Sequence, residues 1–276
     1  MHTGKVRVST YLPFGGDRCN VIKASGVFLP EEKRLWLPVS VYLIEHPKGL
    51  VLLDTGWSRK MSPRGCYDAN AQKRQLGRML YRVNQGVVPV GQTAVEQLSA
   101  RGIKPRDIDI VLISHLDCDH ANALSDFTDA GRILVSNDEL EGDSALNPVL
   151  RTRFKRRWWS DVPIEPFEYE RSGQGPFGRS FDLFGDGSIE LTALPGHSPG
   201  LFATLVCGEK GRFVNLVSDG AYGRRSWEEM VLPGIALDRK KQRASLEWIA
   251  RMDRDPLCIG AYANHDVEIE PQTLEL

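Results

Sequence analysis

The sequence predicts a layered α/β fold. Three observations carry this: short β-rich runs recur along the chain, amphipathic helical stripes fall between them, and most histidines stand just beyond a strand end. The 276 residues contain no low-complexity linker and no regular repeat, so a single domain spanning 1–276 is expected.

The first recognisable unit runs from Val39 to Ile44, turns at His46-Pro47-Lys48-Gly49, and returns from Leu50 to Leu53. Two β-rich runs around a Pro/Gly turn make a hairpin, and its second strand ends at Asp54-Thr55-Gly56. Leu76, Met79, Leu80 and Val83 then fall at i, i+3, i+4 and i+7, the stripe of an amphipathic helix. A second helix begins at Thr93, which stands three residues before Glu96 in capping-box spacing, and stops before Gly102. A late helix runs from Asp238, its N-cap, to Arg254, with Leu246, Ile249 and Ala250 on one face. Strands are expected at Ile108 to Ile113, Ile189 to Leu194, Phe213 to Val217 and Leu257 to Tyr262.

Composition narrows the class of function. A formal net charge of −1 gives no global attraction to nucleic acid or anionic membrane. No window approaches the roughly 18 apolar residues of a membrane span. The opening residues lack a basic start followed by an apolar run, so no signal peptide is expected. Five cysteines, odd in number and without CxxC spacing, point to reduced thiols and a cytoplasmic setting.

Chemistry concentrates at the strand ends. Of six histidines, His2 is terminal and His46 lies in the hairpin turn; the other four follow apolar runs. His115, Asp117, Asp119 and His120 place four potential ligands within six residues. No helix or strand period puts all four on one side, so a loop is expected to wrap them. Carboxylates packed this closely repel one another unless cations offset them. Imidazole with carboxylate suits Zn, Fe, Mn or Co and not Ca, which takes an all-oxygen shell. His197, in Pro195-Gly196-His197-Ser198-Pro199-Gly200, then Asp219 and His265 bring the candidates to seven. Seven suffice for two metals sharing a carboxylate. Each of these histidines alone would read as an ordinary hydrogen-bonded residue, and Asp54-Thr55-Gly56 alone as a turn; their order along the chain is what distinguishes them.

That order resembles the metallo-β-lactamase superfamily, whose signature is an HxHxDH loop followed by separate His, Asp and His ligands. The resemblance extends from Asp54 to His265 and is nearest to the N-acyl-homoserine lactonase group. The Pro195–Gly200 loop, Tyr222 three residues beyond Asp219, and the Asn264-His265-Asp266 segment carry the narrower likeness. It implies a four-layer αββα sandwich. It places His115, Asp117 and His197 on a first metal, Asp119, His120 and His265 on a second, and Asp219 as the bridge. Asp54 would support the site without binding metal, and Tyr222 would contact substrate. The implied activity is quorum-quenching lactone hydrolysis by a hydroxide shared between the metals, with Tyr222 at the oxyanion and Asp119 relaying the proton. The implied cofactors are two divalent ions, Zn first, and the implied partner is a small lactone or ester; related lactonases are monomers or homodimers.

Two departures stand out. Asp117 occupies the place of the family's second histidine, a harder donor that favours Fe, Mn or Co. Ala121-Asn122-Ala123 replaces the glycine pair common after the loop.

Other readings remain at this point. One is an esterase or thioesterase resembling glyoxalase II. Another is the redox chemistry of the flavodiiron enzymes, which also place an acid at the second ligand position; their flavodoxin-like domain has no counterpart in the eleven residues after His265. A third is a nucleic-acid surface built from Arg151, Arg153, Lys155, Arg156 and Arg157 with Trp158 and Trp159. The plainer reading is a solvated face with both tryptophans against the body. Segments near Trp36, Trp57, Trp158 and Trp159 are candidates for an apolar substrate wall, and Cys118 is expected to point into the core.

Overall fold

The computed structural model describes residues 1–144 and 152–276. The chain divides into two compact units, one of Met1–Val8, Pro30–Val135 and Leu140–Pro166, the other of Ser9–Leu29, Ser136–Glu139 and Phe167–Leu276.

The strands of the first unit are β1 (His2–Ser9), β2 (Arg34–Ser40), β3 (Tyr42–His46), β4 (Gly49–Leu53), β5 (Gln85–Val87), β6 (Ile110–Ile113), β7 (Arg132–Ser136) and β8 (Ile164–Phe167). They form one sheet of order β2-β1-β5 and another of order β3-β4-β6-β7-β8. The hairpin is β3 paired antiparallel with β4, closing at His46 opposite Gly49. Its first strand starts later than the sequence suggests, because Val39 and Ser40 finish β2 in the other sheet. An apolar run without an internal turn signal conceals such a change of sheet.

Strands β4, β6 and β7 run parallel. Their residues are almost continuously buried, as expected of parallel strands covered on both faces. Parallel direction puts the ends of β4 and β6 on one edge, so Asp54 and the His115–His120 segment emerge side by side. The main chain ties them there: Asp54 N–H donates to Leu112 O at 2.8 Å and Thr55 N–H to His120 O at 3.0 Å. Gly56, at φ +69°, is required at this turn, because a Cβ there would lie 2.0 Å from Thr3 Oγ1.

The predicted helices are present. Ala94–Ala100 begins with the reciprocal Thr93–Glu96 capping box. Ala69–Val83 buries Leu76 and Leu80 as expected, but Met79 is exposed. Gly77 breaks the helix at φ 76°, ψ 163°, so the four-residue stripe does not share one uninterrupted helical face.

The second unit is one sheet, β14-β13-β12-β11-β10-β9, of β9 (Glu170–Arg171), β10 (Arg179–Asp182), β11 (Ile189–Ala193), β12 (Phe202–Cys207), β13 (Phe213–Ser218) and β14 (Cys258–Ala263). Antiparallel steps from β11 to β12 to β13, then a parallel step to β14, point β11, β13 and β14 the same way. Their C-terminal ends therefore share an edge, and those ends lead to His197, Asp219 and His265. The helix Arg239–Asp253, capped by Asp238, buries Leu246, Ile249 and Ala250 in a core with Leu194, Val217, Trp227 and Ala261. No helix among the described residues is long and apolar enough to cross a membrane.

Candidate metal centre

In the first unit the ligand segment is not all loop. Asp117 is the N-cap of a one-turn helix, Cys118–Ala121, that carries Asp119 and His120, while His115 precedes it. The expectation of a wrapping loop is corrected accordingly: one helical turn presents half of the cluster. His115 and His120 are fully buried, with ring centroids 4.0 Å apart, and Asp119 is 5% exposed.

Asp54 orients this group. Its Oδ1 accepts from Ser114 N–H and its Oδ2 from the Ser114 hydroxyl, both at 2.8 Å. The same Oδ2 lies 2.8 Å from His120 Nδ1. A carboxylate on one imidazole nitrogen fixes the tautomer and directs the other nitrogen away, as carboxylate–histidine pairs do behind metals. Ser114 Oγ stands 3.0 Å from His115 Nδ1 and orients that ring likewise. Asp54 itself sits at φ 63°, a conformation an L-residue adopts only where surrounding contacts enforce it. The Asp54→Ala chain is expected to lose about 10- to 100-fold in metal affinity, read by chelator competition.

Asp117 Oδ2 lies 3.5 Å from His115 Nε2. Asp117 also accepts a bidentate pair from Arg153, Nε to Oδ1 at 2.9 Å and Nη2 to Oδ2 at 2.6 Å. The sequence offered no signal for this partner, which stands in a basic run that reads as surface. Within that run the two tryptophans lie against the body, as the plainer reading has it. Trp158 and Trp159 are buried, the former donating from its indole N–H to Gln75 O. Arg157 donates to Arg74 O, and Arg151 lies outside the described residues. The aromatic wall is also corrected in part: Trp57 is fully buried, with Gly86 packed against its ring. Trp36 is exposed and meets Tyr67 edge-on.

Cys118 is buried as expected, 3.3 Å from Asn84 Nδ2. Burial foremost, then the charges of Asp119 and Asp117, push its thiol well above the usual range.

In the second unit three donors meet at the shared strand edge. Asp219 Oδ2 lies 3.6 Å from His197 Nε2, and Asp219 Oδ1 lies 3.2 Å from His265 Nε2. One carboxylate thus turns each oxygen to a different imidazole. All three residues are no more than 3% exposed. Ser218, before Asp219, has φ 49°, a second constrained strand-end residue. Tyr222 stacks on His265 at 5.2 Å and meets His197 edge-on at 6.1 Å.

The loop bearing His197 is gripped by residues the sequence did not flag. Gly200 donates its N–H to the buried Glu139 carboxylate at 2.8 Å, and its carbonyl accepts from Ser136 Oγ and Tyr169 OH, both at 2.8 Å. Gly196, at φ +146°, has Gln242 N only 2.5 Å from where a Cβ would sit. Short polar anchors from distant segments leave no periodic trace in a sequence.

Comparisons with known proteins agree with this architecture. The family model described as the metallo-beta-lactamase superfamily matches residues 34–210. N-acyl homoserine lactonase AttM of Agrobacterium fabrum is 30% identical over 201 residues, covering 72% of this chain and 71% of its own. N-acyl homoserine lactonase of Bacillus cereus is 24% identical over 269 residues, 94% of this chain and 93% of its own. A solved N-acyl homoserine lactone hydrolase, with N-hexanoyl-L-homoserine at its catalytic metal center, superposes with a TM-score of 0.74 at 21% identity, covering 97% of this chain and 92% of that one. The chain has the metallo-β-lactamase fold and belongs to the metallo-β-lactamase superfamily of metal-dependent hydrolases.

Proposed function

We propose that this enzyme opens lactone rings, N-acyl homoserine lactones foremost, at two divalent cations held by His115, Asp117, Asp119, His120, His197, Asp219 and His265. In this reading both units form one functional domain. The observation that carries it is Asp219, whose two oxygens face His197 and His265 separately. A carboxylate so placed suits a ligand shared between two sites.

The donor set fits such ions. Ligands of a tetrahedral ion with bonds near 2.0–2.1 Å lie about 3.4 Å apart. The separations of 3.5, 3.6 and 3.2 Å at His115–Asp117, His197–Asp219 and His265–Asp219 bracket that edge. Buried carboxylates need paired charge or a metal to offset their lost hydration. Imidazole with carboxylate suits Zn first and also Fe, Mn or Co.

When bound, such cations supply water acidified toward neutrality and a Lewis acid for the carbonyl. His115, His120, His197 and His265 would hold them through imidazole nitrogens, with His115 oriented by Ser114 and His120 by Asp54. Asp119 takes the proton of the attacking water and returns it to the leaving alkoxide. Tyr222 donates its hydroxyl to the carbonyl oxygen as charge develops there. Burial of the whole set excludes bulk water and strengthens each of these contacts.

Support for lactones over thioesters comes from the AttM and B. cereus relatives and from Tyr222 beside His197 and His265. Elemental analysis of the purified chain, followed by a pH-indicator assay, tests the reading. Two equivalents of transition metal and faster opening of acyl-homoserine lactones than of simple esters or glutathione thioesters are expected. Preference for glutathione thioesters would transfer the chain to a glyoxalase II-like role.

A further inference from the structure

The pairing of Asp117 with Arg153 has a consequence for the donor set, and it rests on the metal-centre reading above. We propose that Arg153 is a positioning residue: its guanidinium and the Asp117 carboxylate together replace one neutral imidazole donor. A histidine ligand brings no net charge, whereas aspartate brings −1. The guanidinium cancels that charge, and it stays protonated at any working pH. Both side chains are largely withdrawn from solvent, 12% exposed for Arg153 and 13% for Asp117, so water does little to screen the pair.

The geometry supports positioning as well as neutralisation. The fork engages both carboxylate oxygens, at 2.9 and 2.6 Å, which fixes the plane of the group. Each carboxylate oxygen has two lone pairs, so Oδ2 keeps capacity for a cation while it accepts from Arg153. That same Oδ2 faces His115 Nε2 at 3.5 Å. Arg153 thus restrains the shorter aspartate arm beside the imidazole with which it would share a cation.

Charge cancellation makes the two positions interdependent, and a double-mutant cycle on the full chain reads that dependence. Asp117→His alone leaves a guanidinium without its anion next to a dication. It is expected to weaken binding of the less tightly held Zn or Co ion by at least about tenfold, within the range of coupling between residues in contact. In the Arg153→Met background the same substitution restores the neutral imidazole, and binding is expected to return to within about threefold of the wild type. Chelator competition gives the constants without any assay of turnover, and far-UV circular dichroism checks each fold. If Asp117→His does not fold, Asp117→Asn makes the same change of charge and takes its place, with the same tenfold difference between backgrounds required. An equal effect of the Asp117 substitution in both backgrounds overturns the inference while the metal centre stands. A wild-type chain that binds no divalent cation overturns the metal centre itself.

Discussion

The His115→Ala and Asp219→Ala chains are expected to lose metal and turnover together, with kcat/KM falling by at least about 10³-fold. Lewis acidity and an acidified water are worth several kcal/mol of barrier, and each decade of rate needs about 1.4 kcal/mol. His115 leaves one imidazole position open beside Asp117. Asp219 does more damage, since both of its oxygens face imidazoles. The Asp219→Ala chain should therefore lose both cations and the His115→Ala chain chiefly one. Metal stoichiometry by elemental analysis, alongside lactone hydrolysis, separates the two cases. Full turnover by a demetallated His115→Ala chain would remove the mechanism.

The Tyr222→Phe chain should behave otherwise, retaining its metals while kcat falls by about 10²-fold, the usual cost of one oxyanion donor. The ring that stacks on His265 and abuts His197 is preserved by phenylalanine, so packing survives and only the hydroxyl is lost. A KM that rises with kcat unchanged would make the tyrosine a binding group. Unchanged kinetics would remove it from the scheme.

Much of this arrangement was legible in the sequence, for a physical reason. Parallel strands deliver their loops to one edge, so a histidine or aspartate just beyond an apolar run is already placed by topology. The strand-end placement of His115, His197, Asp219 and His265 follows from that. The Arg239–Asp253 helix was equally clear, because an aspartate cap and an unbroken stripe both survive in linear order. The remainder is held by contacts distant in sequence. Arg153 reaches Asp117 across 36 positions, and Glu139 reaches Gly200 across 61. Met79 was misassigned because Gly77 interrupts the helical phase. The one-turn helix at Cys118–Ala121 is too short to leave a periodic signature.

The seclusion of Cys118 bears on how the protein meets oxidants and electrophiles. Sulfur reacts as thiolate, and burial of the Cys118 thiol disfavours that charged form. Cys66, by contrast, is open to solvent. Alkylating agents and peroxide will therefore spend themselves at a site remote in sequence from the His115–His120 segment, leaving the thiol within that segment unharmed while the chain stays folded.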